Sequence, residues 1–217
     1  MVDVFVGTEP KKFHLHRDLL CDRSEYFEAC FGSEFEEARE KELHLPEDNV
    51  AGFELFVEWL YGSTLRSIEN EDALISHIAL HVLASKFCLE HLQNEAMDLI
   101  IRFYRVNPRL VEAQSLIYIY ENTSEGDFLR RFSVRLVAWN IVETGVTDLS
   151  PSYNTLLGLG GELAVDLTSW LIKISANLRA MHGFDDDERD YLKDPRSVSN
   201  CTFHKHNSTI ACRSMTE

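Results

Sequence analysis

The chain has 217 residues, 45% hydrophobic and 26% charged, which is enough apolar material for one or two packed cores and too much for disorder to be its main state. A formal net charge of −15, of which residues 1–106 carry −11, argues against nucleic-acid binding, which needs clustered Lys and Arg. Apolar runs such as Leu116–Tyr120 fall far short of the roughly 18 residues of a membrane span, and the scattered Cys21, Cys30, Cys88, Cys201 and Cys212 suit a reducing compartment rather than a disulfide framework.

At the start of the chain, Asp3 and Glu9 stand where a secretory signal would need an uninterrupted apolar run, so cytoplasm or nucleus is the expected location. Val4 and Val6, then Phe13 and Leu15, keep period-two spacing around a turn with Gly7 and Pro10, which predicts a hairpin. His16–Leu20 and Ser24–Phe31 read as two short helices, with Ser24 as an N-cap. A charged segment over 33–42 leads into a strand at Leu43–Leu45 that Pro46 stops. Three helical stripes follow: Phe53, Phe56, Val57, Leu60; Ile75, Ile78, Ala79, Val82; and Leu89, Leu92, Ala96, Leu99, Phe103. His77 and His81 have the i, i+4 spacing of zinc-protease ligands, but Ile78 stands where the general-base Glu belongs. They fall opposite the Ile75 stripe and are expected on a solvated polar face. His14 and His16 read as packing or capping residues, and Cys21, Cys30 and Cys88 as buried small hydrophobes.

Past Asn107-Pro108 the pattern is purely helical. A helix over roughly 110–120 ends at Asn122, and Ser124 with Asp127 predicts a capping-box start for a helix through Val142. Leu129, Phe132, Leu136 and Trp139 share one of its faces, with Arg131 and Arg135 on another. Ser150-Pro151 reads as an N-cap and first helical residue. Gly160–Gly161 precede an amphipathic helix whose stripe is Leu163, Leu167, Trp170, Leu171, Ile174 and Leu178. Beyond Gly183 the chain turns acidic and then polar, with few apolar anchors.

The segments Asp3-Val-Phe-Val-Gly7, Phe13-His-Leu-His-Arg17-Asp-Leu-Leu20, Ser24-Glu-Tyr-Phe27, Phe31, Leu45-Pro46 and Phe53–Tyr61 together resemble a BTB/POZ domain. The resemblance implies an α+β fold over residues 1–104, a small three-stranded sheet with a helical cluster, followed by an all-α region over 108–182 and a tail over 183–217. The second half, with its ENTSEGDFLRRF segment, looks like the helical partner of single-BTB proteins of fungi. What the family implies is a protein-interaction domain without catalysis that self-associates or docks onto a ubiquitin-ligase scaffold. Phe35-Glu36-Glu37 matches the hydrophobic-x-Glu motif through which cullin-binding BTB domains engage the cullin-3 scaffold. An aromatic in a charge-rich loop suits an interface anchor, with Glu37 setting orientation; the other reading is that Phe35 folds back onto Phe31. Asp3 and Arg17 match the charged-pocket pair of BTB repressors. Their expected role is mainly structural, because a carboxylate in an apolar strand needs a partner and the His16-Arg17 step supplies one.

An adaptor recruiting an unidentified client to a cullin-3 ligase is the leading expectation, with a homo- or hetero-oligomeric scaffold as the alternative. Because Met1 and Val2 alone precede Asp3, a strand-exchanged dimer is not expected, while a homodimer through the short helices stays open. No catalytic constellation stands out, and no cofactor is required. Cys201, His204, His206 and Cys212 follow C-x2-H-x-H-x5-C. Two readings stand for these four: a structural zinc site, or a solvated tail whose ligands are accidental. The spacing is not that of a DNA-binding finger, and four protein ligands leave no open position for a catalytic zinc.

Overall fold

The computed structural model describes residues 1–32, 36–145, 150–158, 160–179, 193–210 and 212. They divide into two compact units: residues 1–100 with 205–210, and residues 101–204 with 211–217.

The first unit opens with the expected hairpin, β1 (Val2–Val6) and β2 (Lys11–Leu15). Their antiparallel register sets Val4 opposite Phe13 and Asp3 opposite His14. A third strand, β3 (Glu42–Leu45), pairs parallel to β1 on its other side, giving the order β2-β1-β3. Alternation along β1 buries Val2, Val4 and Val6 on one face of the sheet. Gly7 closes the strand at φ +89°, where a Cβ would also lie 2.7 Å from Val50 Cγ2, so only glycine fits.

Short helices α1 (Arg17–Arg23) and α2 (Glu25–Gly32) follow the hairpin. Ser24 joins them: its Oγ accepts from Phe27 N at 3.4 Å and donates to the Phe87 carbonyl at 2.6 Å. After α3 (Glu36–Glu40) and β3, the helical cluster is α4 (Val50–Gly62), α5 (Glu71–Lys86) and the start of α6 (Glu90–Val106). Asn49 and Asn70 cap α4 and α5 through their side-chain oxygens, on Gly52 N and Ala73 N, both at 2.9 Å. The core is aromatic. Phe27 stands 4.7 Å from Phe87, 5.7 Å from Phe56 and 6.4 Å from Phe31, all four buried. Each such burial contributes about 2–3 kcal/mol.

One expectation for α5 fails. His77 and His81 are fully buried, whereas Ile75 is exposed. The buried set Leu74, His77, Ile78, Leu80, His81, Leu83 and Ala84 wraps most of the helix, so no single stripe marks its inner face. Cys88 also departs from the reading: it is exposed, at φ +58°.

The second unit contains α7 (Ala113–Asn122), α8 (Phe128–Thr144), α9 (Pro151–Gly158), α10 (Gly161–Arg179) and a 3-10 turn at Asn200–Phe203. Its α8 starts later than the capping-box reading placed it. Asp127, not Ser124, is the N-cap and accepts from Leu129 N at 2.8 Å. The helix is buried around most of its girth, through Phe132, Val134, Leu136 and Val137 and also through Arg130 and Arg135. Leu163, Leu167 and Ile174 of α10 are buried as the stripe predicted, whereas Trp170 and Leu171 are half-exposed and the Leu178 side chain lies outside the described set. Val198 and Phe203 are buried too, so part of the polar tail has apolar anchors; Phe203 meets Phe132 edge-on at 5.2 Å. Among the described residues, no single helix is long and apolar enough to cross a membrane.

Candidate functional site

The segment between α2 and β3 contains the sequence Phe35-Glu36-Glu37. Phe35 lies outside the described residues. Glu36 opens α3, a five-residue helix of sequence EEARE, and Glu37 on it is half-buried. The chain leaves this helix through Lys41 at φ +59°, whose carbonyl accepts from Asp3 N at 2.9 Å. A short acidic helix is thereby tied to the first strand of the sheet.

The charged pair Asp3 and Arg17 is not joined. The hairpin register puts His14 directly across from Asp3 and Lys12 on the diagonal, and these two take the carboxylate, His14 Nδ1 at 2.6 Å and Lys12 Nζ at 2.9 Å. The Lys12 hydrogen bond, with that of His14, holds the Asp3 carboxyl below its ordinary range. Arg17 turns instead to the end of α2, donating to the Phe31 carbonyl through Nη2 at 2.7 Å and Nε at 3.3 Å. The cause is geometric: strand partners two residues apart on the same face reach Asp3 first.

His14, His16, His77 and His81 each make a polar contact within the first unit. The His14 ring pairs with Asp3, and that of His16 lies 2.8 Å from the Tyr61 hydroxyl. His77 faces two carbonyls, Ala73 at 2.7 Å and Arg66 at 3.0 Å, and so ties the loop before α5 to the helix. His81 lies 3.2 Å from the Gln93 carbonyl. Each buried imidazole fastens one backbone segment to another, which explains polar residues inside an apolar helix bundle.

A further polar clasp was not legible in the sequence. Glu90, at the first turn of α6, is only 7% exposed. Its carboxylate accepts from the backbone N–H groups of Asn207 at 2.9 Å, Ser208 at 3.0 Å and Thr209 at 2.7 Å, and from the Thr209 hydroxyl at 2.6 Å. Burial pushes the carboxyl upward, but the Thr209 hydroxyl and the three amides outweigh it and hold the group down at about 2. One turn on, Asn94 grips Lys205 at both ends, donating to its carbonyl at 2.8 Å and accepting from its N–H at 2.9 Å. Partners more than 110 residues apart in sequence leave no local signal, and Glu90 reads as an ordinary acidic residue of a helix first turn.

Of the tail histidines and cysteines, His204 has its Nδ1 3.2 Å from Cys212 Sγ, and His206 has its Nδ1 3.2 Å from Thr209 Oγ1.

The family model for the BTB/POZ domain matches residues 1–103. Rho-related BTB domain-containing protein 1 of Mus musculus is 36% identical over 90 residues, covering 42% of this chain and 12% of that protein. Kelch-like protein 34 of Homo sapiens is 35% identical over 65 residues, 30% of this chain and 10% of that protein. Kelch-like protein 15 of Gallus gallus is 28% identical over 149 residues, 61% of this chain and 30% of that protein. The chain therefore spans less than a third of the length of these relatives.

Proposed function

Residues 1–103 of this chain are a BTB/POZ domain, a protein-interaction module, and on that premise we propose that the chain is an adaptor joining a client protein to a cullin-3 ubiquitin ligase. The observation that carries the reading is the Phe35-Glu36-Glu37 motif inside the matched domain, at the entry to the acidic helix α3. An apolar anchor supplies affinity by desolvation, and the carboxylates beside it orient the partner and speed encounter. Catalysis has no place in this reading; the work is done by holding two proteins near each other. The helical second unit holds the client, and the setting is the cytoplasm or nucleus.

The test is direct binding of the purified chain to purified cullin-3. Wild type binds at micromolar concentration or tighter, and Phe35→Ala weakens binding by about 2 kcal/mol with unchanged thermal stability. Glu37→Lys weakens it as well, through charge reversal at an oriented contact. No binding by wild type overturns the adaptor reading, and self-association in the same experiment then favours an oligomeric scaffold.

A further inference from the structure

Two of the five thiols, those of Cys88 and Cys212, are exposed. Cys212 has reactive neighbours, and they belong to its own compact unit, the second. His204 Nδ1 stands 3.2 Å from its Sγ, and the Sγ of Cys201 lies within 4.8 Å of the same sulphur. Side-chain rotation brings two sulphurs at that spacing to the roughly 2.0 Å of a disulfide bond. An accessible thiol, an imidazole within hydrogen-bond reach and a second thiol nearby are the parts that two-electron thiol oxidation needs. We propose that Cys212, His204 and Cys201 form a peroxide-sensitive thiol pair, in which hydrogen peroxide converts the two cysteines into a reversible disulfide.

The turn that carries Cys201 and His204 is fixed within the second unit. Ser199 Oγ accepts from Cys201 N at 3.3 Å, and the Cys201 carbonyl accepts from His204 N at 3.2 Å. Between the two, Phe203 is buried against Phe132. Arg105 donates to the Val198 carbonyl at 3.0 Å and to Asn200 Oδ1 at 2.6 Å, and Arg131 donates to the Thr202 carbonyl at 3.3 Å. His204 is itself only 8% exposed. A base already held beside the thiol it serves has little ordering left to undergo when it acts. Exposure divides the roles: Cys212 meets the oxidant, and the half-buried Cys201 resolves the product.

In the first step His204 Nδ1 takes the Cys212 thiol proton and the sulphur attacks one oxygen of the peroxide. An S–O bond forms, the O–O bond breaks, and the departing hydroxide leaves as water with the proton returned by the imidazolium. Cys212 is then a sulfenic acid. In the second step the Cys201 sulphur attacks that of Cys212, the S–O bond breaks, and the hydroxyl leaves as water with the Cys201 proton. The two thiols have given up two electrons, the peroxide has accepted them, and one disulfide and two waters result. A dithiol reductant reverses the change by exchange. None of this depends on the cullin reading, and either can fail alone.

The experiment treats the reduced full chain, freed of reductant, with hydrogen peroxide, alkylates the remaining thiols and maps the peptides by mass spectrometry. Peptides joined through Cys201 and Cys212 should appear, and dithiothreitol should separate them. Cys212 should be consumed faster than Cys88, the other exposed thiol, on the order of a hundredfold. In Cys201→Ser the sulfenic acid should persist at Cys212, where dimedone traps it. His204→Gln should bring the Cys212 rate down toward that of Cys88. Three outcomes of the wild-type reaction overturn the proposal: Cys201 and Cys212 stay thiols, they join other cysteines instead, or Cys212 reacts no faster than Cys88. Zinc retained by the wild type with both thiols inert to peroxide overturns it as well. Comparing two thiols within one wild-type chain keeps the test decisive if a variant fails to fold.

Discussion

Glu90 and Arg130 illustrate, in different units, how a charge taken out of water is kept ionised. Arg130 is buried beneath the end of α7, where it donates to the Tyr120 and Thr123 carbonyls, to Thr123 Oγ1 at 2.8 Å and to Glu162, while its guanidinium lies over the Tyr120 ring at 4.5 Å. A cation at a helix C-terminus meets the carbonyls that the helix cannot use itself. Glu90 is the converse, an anion surrounded by backbone N–H groups. Its folded value of about 2 lies below the ordinary 4.5, so its contribution to stability is present above about pH 4.5 and is lost as pH falls toward 2. The expected outcome is a Thr209 amide resonance that shifts in acid with a midpoint near 2, and that in Glu90→Gln no longer titrates there. A midpoint near 4.5 in wild type would show that the clasp does not hold the carboxylate.

At the scale of elements, the approach of α4 to α5 depends on Gly52. A Cβ at that position would lie 2.8 Å from Ala79 Cβ and 3.0 Å from the Ala79 carbonyl carbon and Leu80 N. These are backbone or near-backbone atoms that cannot swing aside, so two helices meet where neither has bulk. Gly52 has an ordinary helical conformation, and on an isolated helix alanine would be favoured by roughly 1 kcal/mol. Here the clash reverses that sign. Gly52→Ala is expected to lower unfolding stability by about 1–3 kcal/mol, read as a reduced urea midpoint at unchanged slope. A neutral or raised midpoint would mean that the helices can separate slightly without cost, and that the close approach is not needed for the aromatic cluster of Phe27, Phe56 and Phe87.

At the scale of the whole molecule, the first unit is assembled from both ends of the chain, since residues 205–210 belong with residues 1–100. The unit that holds most of the stretch matched by the BTB/POZ family model thus also takes in a hexapeptide from late in the chain. Ending the chain after His204 removes the donors to Glu90 at Asn207, Ser208 and Thr209 and leaves a buried carboxylate with nothing in exchange for water. The truncated chain should lose about 1–3 kcal/mol from the first unit, measured by denaturation followed at Trp59. In that background Glu90→Gln should cost less than it does in the full chain, or gain stability, because the two changes remove the same interaction. Equal costs in both backgrounds would show that the segment and Glu90 are energetically independent.

The sequence by itself determined the features that depend on neighbours within about four residues. Alternation at Val4, Val6, Phe13 and Leu15 specified the hairpin, Pro46 ended the third strand, Ser24 marked the start of α2, and Ser150-Pro151 marked that of α9. The ordered motifs of residues 3–61 pointed to the BTB/POZ domain that the family model matches. Periodicity shows that a helix has an apolar face; it does not show how many faces will be covered. For that reason the burial of His77, His81, Arg130 and Arg135 was decided only by the packed structure, where neighbouring segments supply carbonyls that make polar burial tolerable. Ion pairing is decided the same way: strand register gave Asp3 to His14 and Lys12 in place of Arg17, and a segment more than 110 residues downstream gave Glu90 its partners. Local rules act along the chain, whereas desolvation and charge pairing act through space, and only the tertiary fold brings those partners together.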